Sequence, residues 1–419
     1  MYYNKKVFVV VDAYTTGRFI APLINANGYL CVHIKSNKNI IPAYRPSFIE
    51  SNFIQNLIFE GDIEPIKEYL KQFDVLGVIP GTETGVMFAD LISQTLGLKT
   101  SNSVALSSAR RNKYEMVSCL KKQQLPHAKS FMSKHLDEIV QWVRENEVFP
   151  VVVKPLSSAG SDGVKICHDI DEVKSAFHAI LNSHDMFNDL NTKVMVQQFL
   201  AGQEYIVNTV SYAGKHKIVD IWRKFKNKLD GIPINDFAEI VAPSEENYTE
   251  LSKYVFQVLD ALEIQFGAGH SEIMLTDRGP ILIETAARLE GSIDPSAVHE
   301  ATGSNHVASL VQSYINPDKF LESASKTNSI KKYARHVFLV SPFAGEVKKQ
   351  PDLKKIMDLP SFHSFSFRYE QGHKLLKTTS LVDFPGFVYF VSEDKKQVEQ
   401  DYKTLRQFEK TLYSNICLS

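Results

Sequence analysis

The chain has 419 residues, 44% of them hydrophobic and 23% charged, and its 47 basic and 48 acidic side chains leave a formal net charge of -1. At about 100 to 200 residues per domain, that length predicts two to four domains with enough core to fold without disulfides or a structural metal. Balanced charge argues against a general nucleic-acid binder, which needs a basic excess to neutralise phosphates. The four cysteines, Cys31, Cys119, Cys167 and Cys417, form no CxxC pair, which fits a reducing cytosol and speaks against zinc.

The apolar run Val7 to Val11 ends at Asp12. It is shorter than the roughly 7 to 15 residues of a signal-peptide core or the roughly 20 of a membrane span, so a soluble, cytoplasmic protein with no membrane contact is expected. The run reads as a strand, Ile20 to Ile24 as a helix closed by Gly28, and Tyr29 to Ile34 as a second strand. The pattern returns with a helix through Ile66, Tyr69 and Leu70, a strand Val75 to Ile79, and a helix Val86 to Leu96. This alternation predicts an α/β domain with a parallel, doubly wound sheet over about the first hundred residues. Ligands on such sheets bind beyond the carboxyl ends of the strands, so Asp12 to Gly17 and Gly81 to Gly85 face a candidate site.

After Ser107 the pattern changes. A helix from Arg110, Arg111 and Lys113 runs to about Gln123 and is broken at Pro126. Phe149 to Val153 reads as a buried strand ending at Lys154-Pro155. A loop from Ser157 to Gly163 follows, then a strand Val164 to Cys167, and Asp171 is the expected N-cap of a helix to Leu181. Val194 to Leu200, Tyr205 to Tyr212 and Lys217 to Trp222 read as strands of a second sheet. Leu251 to Leu262 reads as an amphipathic helix, with a hairpin from Ser271 to Glu284 after it. The segment from Lys331 is strand-rich, with Gly345, Pro360 and Gly386 as turn markers, and ends in a long helix after Ser392.

The hairpin carries the strongest chemical signal. Its turn is Asp277-Arg278-Gly279, with Glu272 and Glu284 each six residues from Arg278. In that register the two glutamates oppose each other, roughly 5 Å apart. Two carboxylates so placed repel unless one is protonated or a cation lies between them. Hard oxygen ligands at that spacing suit Mg²⁺ completed by substrate phosphates. The alternative is a pair of solvated glutamates, with Ile273, Leu275, Ile281 and Ile283 on the opposite, buried face. Arg288 stands close by for a carboxylate or phosphoryl group, or for a salt bridge with Glu290. The small residues of Ser157-Ser158-Ala159-Gly160-Ser161-Asp162-Gly163 let backbone N–H groups approach anionic oxygens, and Lys154 precedes the loop, so it is not a Walker A motif. Lys215 to Lys228 holds seven basic side chains counting His216. Against the neutral total this reads as a substrate-facing strand leading to a mobile polar lid, Asn227 to Asp236, with Arg223 or Lys224 able to hold an acidic group if it points inward.

In this order the segments resemble the ATP-grasp superfamily of carboxylate-amine ligases. Arg111-Asn112-Lys113-Tyr114-Glu115-Met116 is similar to the family's first nucleotide-lysine segment, and Val152-Val153-Lys154-Pro155 with Ser157 to Gly163 to its second lysine and phosphate loop. Gln197-Gln198-Phe199-Leu200 resembles the strand that holds adenine, Glu204 the ribose carboxylate, and His270-Ser271-Glu272 with Ile283-Glu284-Thr285-Ala286-Ala287-Arg288 the metal-binding strands. The resemblance implies an ATP-grasp fold with a pre-grasp domain at 1–108, a grasp domain at 109–330 (109–195 for nucleotide, 196–330 for metal and catalysis) and a closing α+β domain at 331–419.

Implied too are ATP and Mg²⁺, with Mn²⁺ as an alternative, and small-molecule carboxylate and amine substrates. Arg288 and Lys154 become catalytic residues, and His270, Arg288, Glu290 and Gly291 substrate contacts. Many members carry an Asn where this chain has Ala286, and the Ala-Ala-Arg variant is similar to bacterial L-amino-acid ligases, which join two amino acids through an acyl phosphate. Ligation of a non-amino-acid carboxylate, as in siderophore or nucleotide synthesis, and a nucleotide-binding regulator are the alternatives. A homodimer is the default assembly.

Overall fold

Strands with apolar residues at every position need cover on both faces, and the first domain provides it. The computed structural model describes residues 5–146, 149–229, 232–326, 329–379 and 383–417. Strands Lys6–Val11 (β1), Leu30–Lys35 (β2), Gln55–Ile58 (β3) and Asp74–Pro80 (β4) form a parallel sheet in the order β3-β2-β1-β4. Val7, Val9 and Val11 pack with Ile66, Leu70, Phe88 and Ile92 on one face. Phe8 and Val10 pack with Ile20, Ile24, Leu310 and Val311 on the other. The expected doubly wound sheet is thus present, with β3 as a strand the sequence pattern did not mark: it is short and only half-buried at its centre.

A second, antiparallel sheet joins Ser130–Ser133 (β5), Val151–Lys154 (β6), Lys165–Cys167 (β7) and Val194–Gln198 (β8) in the order β5-β8-β6-β7. Val151, Val153, Val194 and Val196 form its core with Ile139, Val143 and Phe177 from two covering helices. The strand read as Phe149 to Val153 starts later than expected, because Pro150 has no N–H for the ladder, and Phe149 is left 44% exposed. The helix expected behind Asp171 starts at Ile170, and its N-cap is Asp169. Asp169 has extended dihedrals and its Oδ1 accepts from the backbone N–H of Asp171 at 2.9 Å and Glu172 at 2.8 Å.

Strands Gln203–Tyr212 (β9), Lys215–Leu229 (β10), Ile232–Ile240 (β11), Gly267–Thr276 (β12), Gly279–Ala286 (β13), Tyr333–Phe338 (β14), Gly345–Glu346 (β15), Phe362–Phe367 (β16), Lys374–Leu375 (β17) and Gly386–Ser392 (β18) complete the chain. Eight of them form one sheet, β13-β12-β9-β10-β11-β14-β18-β16, and β15 pairs with β17. Two expectations change here. The strand Val194 to Leu200 does not share a sheet with Tyr205 to Tyr212 and Lys217 to Trp222. Where the lid Asn227 to Asp236 was expected, residues 227–229 and 232–235 are instead paired strand, with Asn227 opposite Ile234 and Phe225 stacked on Phe237 at 4.5 Å; the expected turn at Gly231 lies outside the described residues. Gly386 sits in β18 rather than in a turn, where an added Cβ would lie 1.8 Å from the Ser366 carbonyl oxygen. The sheet runs on across residue 331 through the pairing of β11 with β14. Among the described residues no helix is long and apolar enough to cross a membrane.

One buried cation ties the parallel sheet's domain to the end of the helix Tyr248–Ala261, which packs on the large sheet. Arg110 is fully buried, donating to Asp90 at 2.7 Å, to the Ser103 carbonyl at 2.9 Å and to the Leu262 carbonyl at 3.1 Å. Replacing it with Ala strands the Asp90 carboxylate, so Arg110→Ala is expected to cost about 3–5 kcal/mol. Urea denaturation checks this, and an unchanged midpoint contradicts it.

Candidate active site

The hairpin β12–β13 puts Glu272 directly opposite Glu284. A bulge follows immediately: Ile273 pairs with Leu282, so Ile283 has no partner of its own. The expected buried set therefore splits. Ile273, Leu275 and Leu282 pack in the core, whereas Ile281 and Ile283 pack with Met274 in a separate cluster, and Ile283 lies beside the glutamates on the cavity wall. The extra residue shifts the alternation by one, which no periodic reading of the sequence carries.

Lys113 is the first residue of a helix whose Asn112 side chain accepts from the Tyr114 and Glu115 N–H groups, so its position is set by the cap. Its ammonium donates to the Ser158 carbonyl and lies 2.8 Å from Glu284. Burial works to raise the Glu284 carboxyl, but Lys113, Lys154 and Arg288 together hold the group below its ordinary range. Lys154, at the end of β6, donates to Gln197 Oε1 at 2.8 Å. Burial and the neighbouring Lys113 pull its ammonium down to about 8, against the opposing pull of Glu284 and Glu272. Above both, Ser158 to Asp162 forms a turn with Gly160 and Ser161 in left-handed conformations, held by a 2.6 Å hydrogen bond from Ser158 Oγ to Asp162.

Glu204 is buried between Lys224 and Lys226, with Lys226 2.7 Å away. Burial would raise its carboxyl, yet the two lysines hold it down to about 2. Lys224 also lies 3.6 Å from Glu272. Burial raises Glu272, with Lys224 opposing and Glu204 and Glu284 adding to the rise. Two hard carboxylates facing each other, each pushed by the other's charge, fit a divalent cation. Among the described residues no group of three or more His, Cys, Asp or Glu could hold a metal ion, so a cation here would need oxygens from elsewhere, as from phosphates.

These groups line one cavity of about 240 Å³. It brings together Lys113, Lys154, Ser158, Gly160, Ser161, Gln197, Gln198, Phe199, Leu200, Glu204, Glu272 and Glu284 from the sequence reading. Lys224 and Lys226 join them from β10, and Thr379 and Phe384 from the carboxy-terminal segment. Ser157, Gly163, His270, Arg288, Glu290 and Gly291 are not on its wall. Gly163 has φ +66° and packs where an added Cβ would be 2.9 Å from the Pro155 ring, so it shapes the loop from behind. Gly291 is exposed, with open space around it.

Arg288 does not pair with Glu290. Its Nε donates to Glu83 at 2.9 Å, and its Nη1 to the Leu289 carbonyl at 2.9 Å. Glu83 went unmarked in the sequence, although the Gly81 to Gly85 loop that carries it was placed beside a site. Glu290 and Asp220 both accept from the Asn208 amide at 2.7 Å. The Asn208 oxygen is then the acceptor toward His270 Nδ1, 2.9 Å away, so that nitrogen carries the proton. Burial holds His270 well below its ordinary value, hence neutral. Burial and Glu290 push Asp220 up to about 7. This polar cluster backs β12 and fixes His270 against Asn208 rather than in the cavity.

Residues 147–295 match the ATP-grasp domain family. Over 418 residues the chain is 32% identical to dapdiamide A synthase of Enterobacter agglomerans, covering 98% of this chain and 97% of that protein. It is 20% identical over 297 residues to an L-arginine-specific L-amino acid ligase of Bacillus subtilis, covering 71% of this chain and 70% of the relative. The crystal structure of an L-amino acid ligase from Bacillus licheniformis shares the fold with a TM-score of 0.77 at 19% identity, over 97% of this chain and 98% of that one. A whole-length relative at that identity, on a fold shared end to end, shows that the chain belongs to the ATP-grasp carboxylate-amine ligases, ADP-forming enzymes that make amide bonds.

Proposed function

We propose that the chain joins the carboxylate of one amino acid to the amine of another, releasing ADP and phosphate. The observation that carries this is the pair of opposed glutamates on the same cavity wall as two buried lysines. In this reading ATP occupies the cavity, with adenine against Gln197 to Leu200 and ribose at Glu204. Lys113, Lys154 and the Ser157 to Gly163 loop take its phosphates, residues 1–108 supply the Glu83 loop, and the segment 331–419 closes over the nucleotide. Glu272 and Glu284 would hold Mg²⁺, which when bound neutralises phosphate oxygens.

A carboxylate oxygen of the first amino acid attacks the γ-phosphorus, breaking the bond to the ADP oxygen and forming an acyl phosphate. Lys154 and Lys113 offset charge on the phosphates as that bond breaks. The amine of the second amino acid then attacks the acyl carbon, loses a proton and expels phosphate, with Arg288 stabilising the oxyanion. The loop excludes water, which would otherwise hydrolyse the acyl phosphate. Incubation with ATP, Mg²⁺ and pairs of L-amino acids, followed by mass spectrometry, tests this. An amide product with matching ADP is expected; product only with acids other than amino acids contradicts the substrate class, and ATP binding without turnover on any pair favours a regulator.

Lys154 gives a pH signature. In the free enzyme it is charged below about 8 and neutral above, and only the charged form attracts the triphosphate. ATP affinity is therefore expected to fall as pH rises through that value, and Lys154→Met should remove the dependence. Titrations of nucleotide binding against pH read it directly, and the same slope in the variant contradicts it.

A further inference from the structure

A second cavity, of about 440 Å³, opens at the carboxyl ends of the parallel strands. It shares no lining residue with the first. Arg111 is the one lysine or arginine among its described lining residues. The guanidinium lies over the Phe187 ring at 5.3 Å and 3.6 Å from Glu83, while its Nη2 is buried without a hydrogen-bond partner among the described residues. Tyr14, 2% exposed, also lines the cavity, and its hydroxyl is likewise buried and unpartnered. The nearby Asp12 does not answer Arg111: its carboxylate already accepts from the Ser36 N–H, the Ser36 hydroxyl and the Thr84 hydroxyl. Glu83 is shared with Arg288. Arg111 and Tyr14 thus both line the cavity and both carry a donor without an acceptor, and a planar carboxylate suits both. Ile40, Met87 and Leu91 give the same cavity an apolar side.

We propose that this cavity binds the amine-bearing amino acid, with its unreacting carboxylate on Arg111 and an apolar side chain toward Met87. The inference rests on the ligase reading above and adds which of the two substrates goes where. A carboxylate held on Arg111 is kept out of the nucleotide cavity, so it is not the one that is phosphorylated. The amine of that molecule is directed to the Arg288 side, because Glu83 joins Arg111 to Arg288 and Tyr44 on the cavity wall feels the Arg288 charge after the larger effect of burial.

The test uses the full chain with ADP and Mg²⁺. The proteinogenic L-amino acids are screened by calorimetry, and the tightest binder and its carboxamide are titrated into wild type, Arg111→Gln and Met87→Trp. Met87 is exposed on a helix, so the larger ring fills the cavity without disturbing the core. Either substitution, or the carboxamide in place of the acid, is expected to weaken binding at least about tenfold, the loss of one charge-assisted contact or of the space itself. ADP affinity should stay within about twofold. Wild-type affinity in either variant, equal affinity for the carboxamide, or no amino acid bound by wild type overturns the inference. Product formation indifferent to Arg111 leaves the ligase reading standing and removes this one. Binding that needs Arg111, with no product from any pair, does the reverse.

Discussion

Arg288→Ala is expected to lower turnover by roughly 10²–10³-fold, the range for removing one preorganised donor to a developing oxyanion. ATP affinity should change little, because Arg288 is absent from the wall of the nucleotide cavity. Its guanidinium is held at two points, by Glu83 at 2.9 Å and by the Leu289 carbonyl at 2.9 Å, so in the proposed mechanism it would meet the developing oxyanion without reorganising. Glu83→Gln keeps a hydrogen bond but loses the charge that orients Arg288, and its smaller loss of turnover at unchanged ATP affinity would mark Glu83 as a positioning residue. Steady-state kinetics with ATP and amine varied separately give the split. A variant turning over at wild-type speed removes Arg288 from the mechanism.

Glu284→Gln should cost more. The substitution keeps shape and removes one of two opposed carboxylates, and several kcal/mol of charge stabilisation correspond to roughly 10³-fold in rate. It also takes the charged partner from the Lys113 ammonium, 2.8 Å from Glu284, leaving it the Ser158 carbonyl. Because that lysine is then freer to meet phosphates, metal-free ADP binding is expected to hold or tighten while the Mg²⁺-dependent part of nucleotide binding disappears. Calorimetry with and without Mg²⁺ separates the two. Retained Mg²⁺ dependence with full turnover would remove Glu284 from any metal role.

What the sequence made legible followed local rules. The hairpin itself was legible from its turn residues, but Thr276 pairs with Gly279, a register that alone would set Glu272 opposite Ile283, and the bulge between Glu272 and Ile273 is what brings Glu284 opposite Glu272. Continuous apolar runs announced the parallel sheet, since only strands covered on both faces are written that way. What stayed hidden depended on tertiary arrangement. The bulge at Ile283 changes which face Ile281 serves without altering composition. Lys224 was one of seven basic residues in a run, and only the sheet shows that it turns inward to Glu204 and Glu272 while Arg223 pairs with Glu239 and Glu245. Glu83 reaches Arg288 across 205 residues of sequence, a contact that no motif spacing encodes. The Asn227 to Asp236 stretch reads as a loop because its residues are polar, yet the ladder and the Phe225–Phe237 stack make residues 227–229 and 232–235 strand.

The most direct test of the central claim follows the oxygen. Amino acids labelled with heavy oxygen in the carboxylate are supplied with ATP and Mg²⁺, and the released phosphate is analysed by mass spectrometry. Transfer of one labelled oxygen to phosphate, in step with amide formation, is the predicted result. Unlabelled phosphate released at the same rate with and without amino acids would mean attack by water on ATP, and would contradict the acyl-phosphate ligase account.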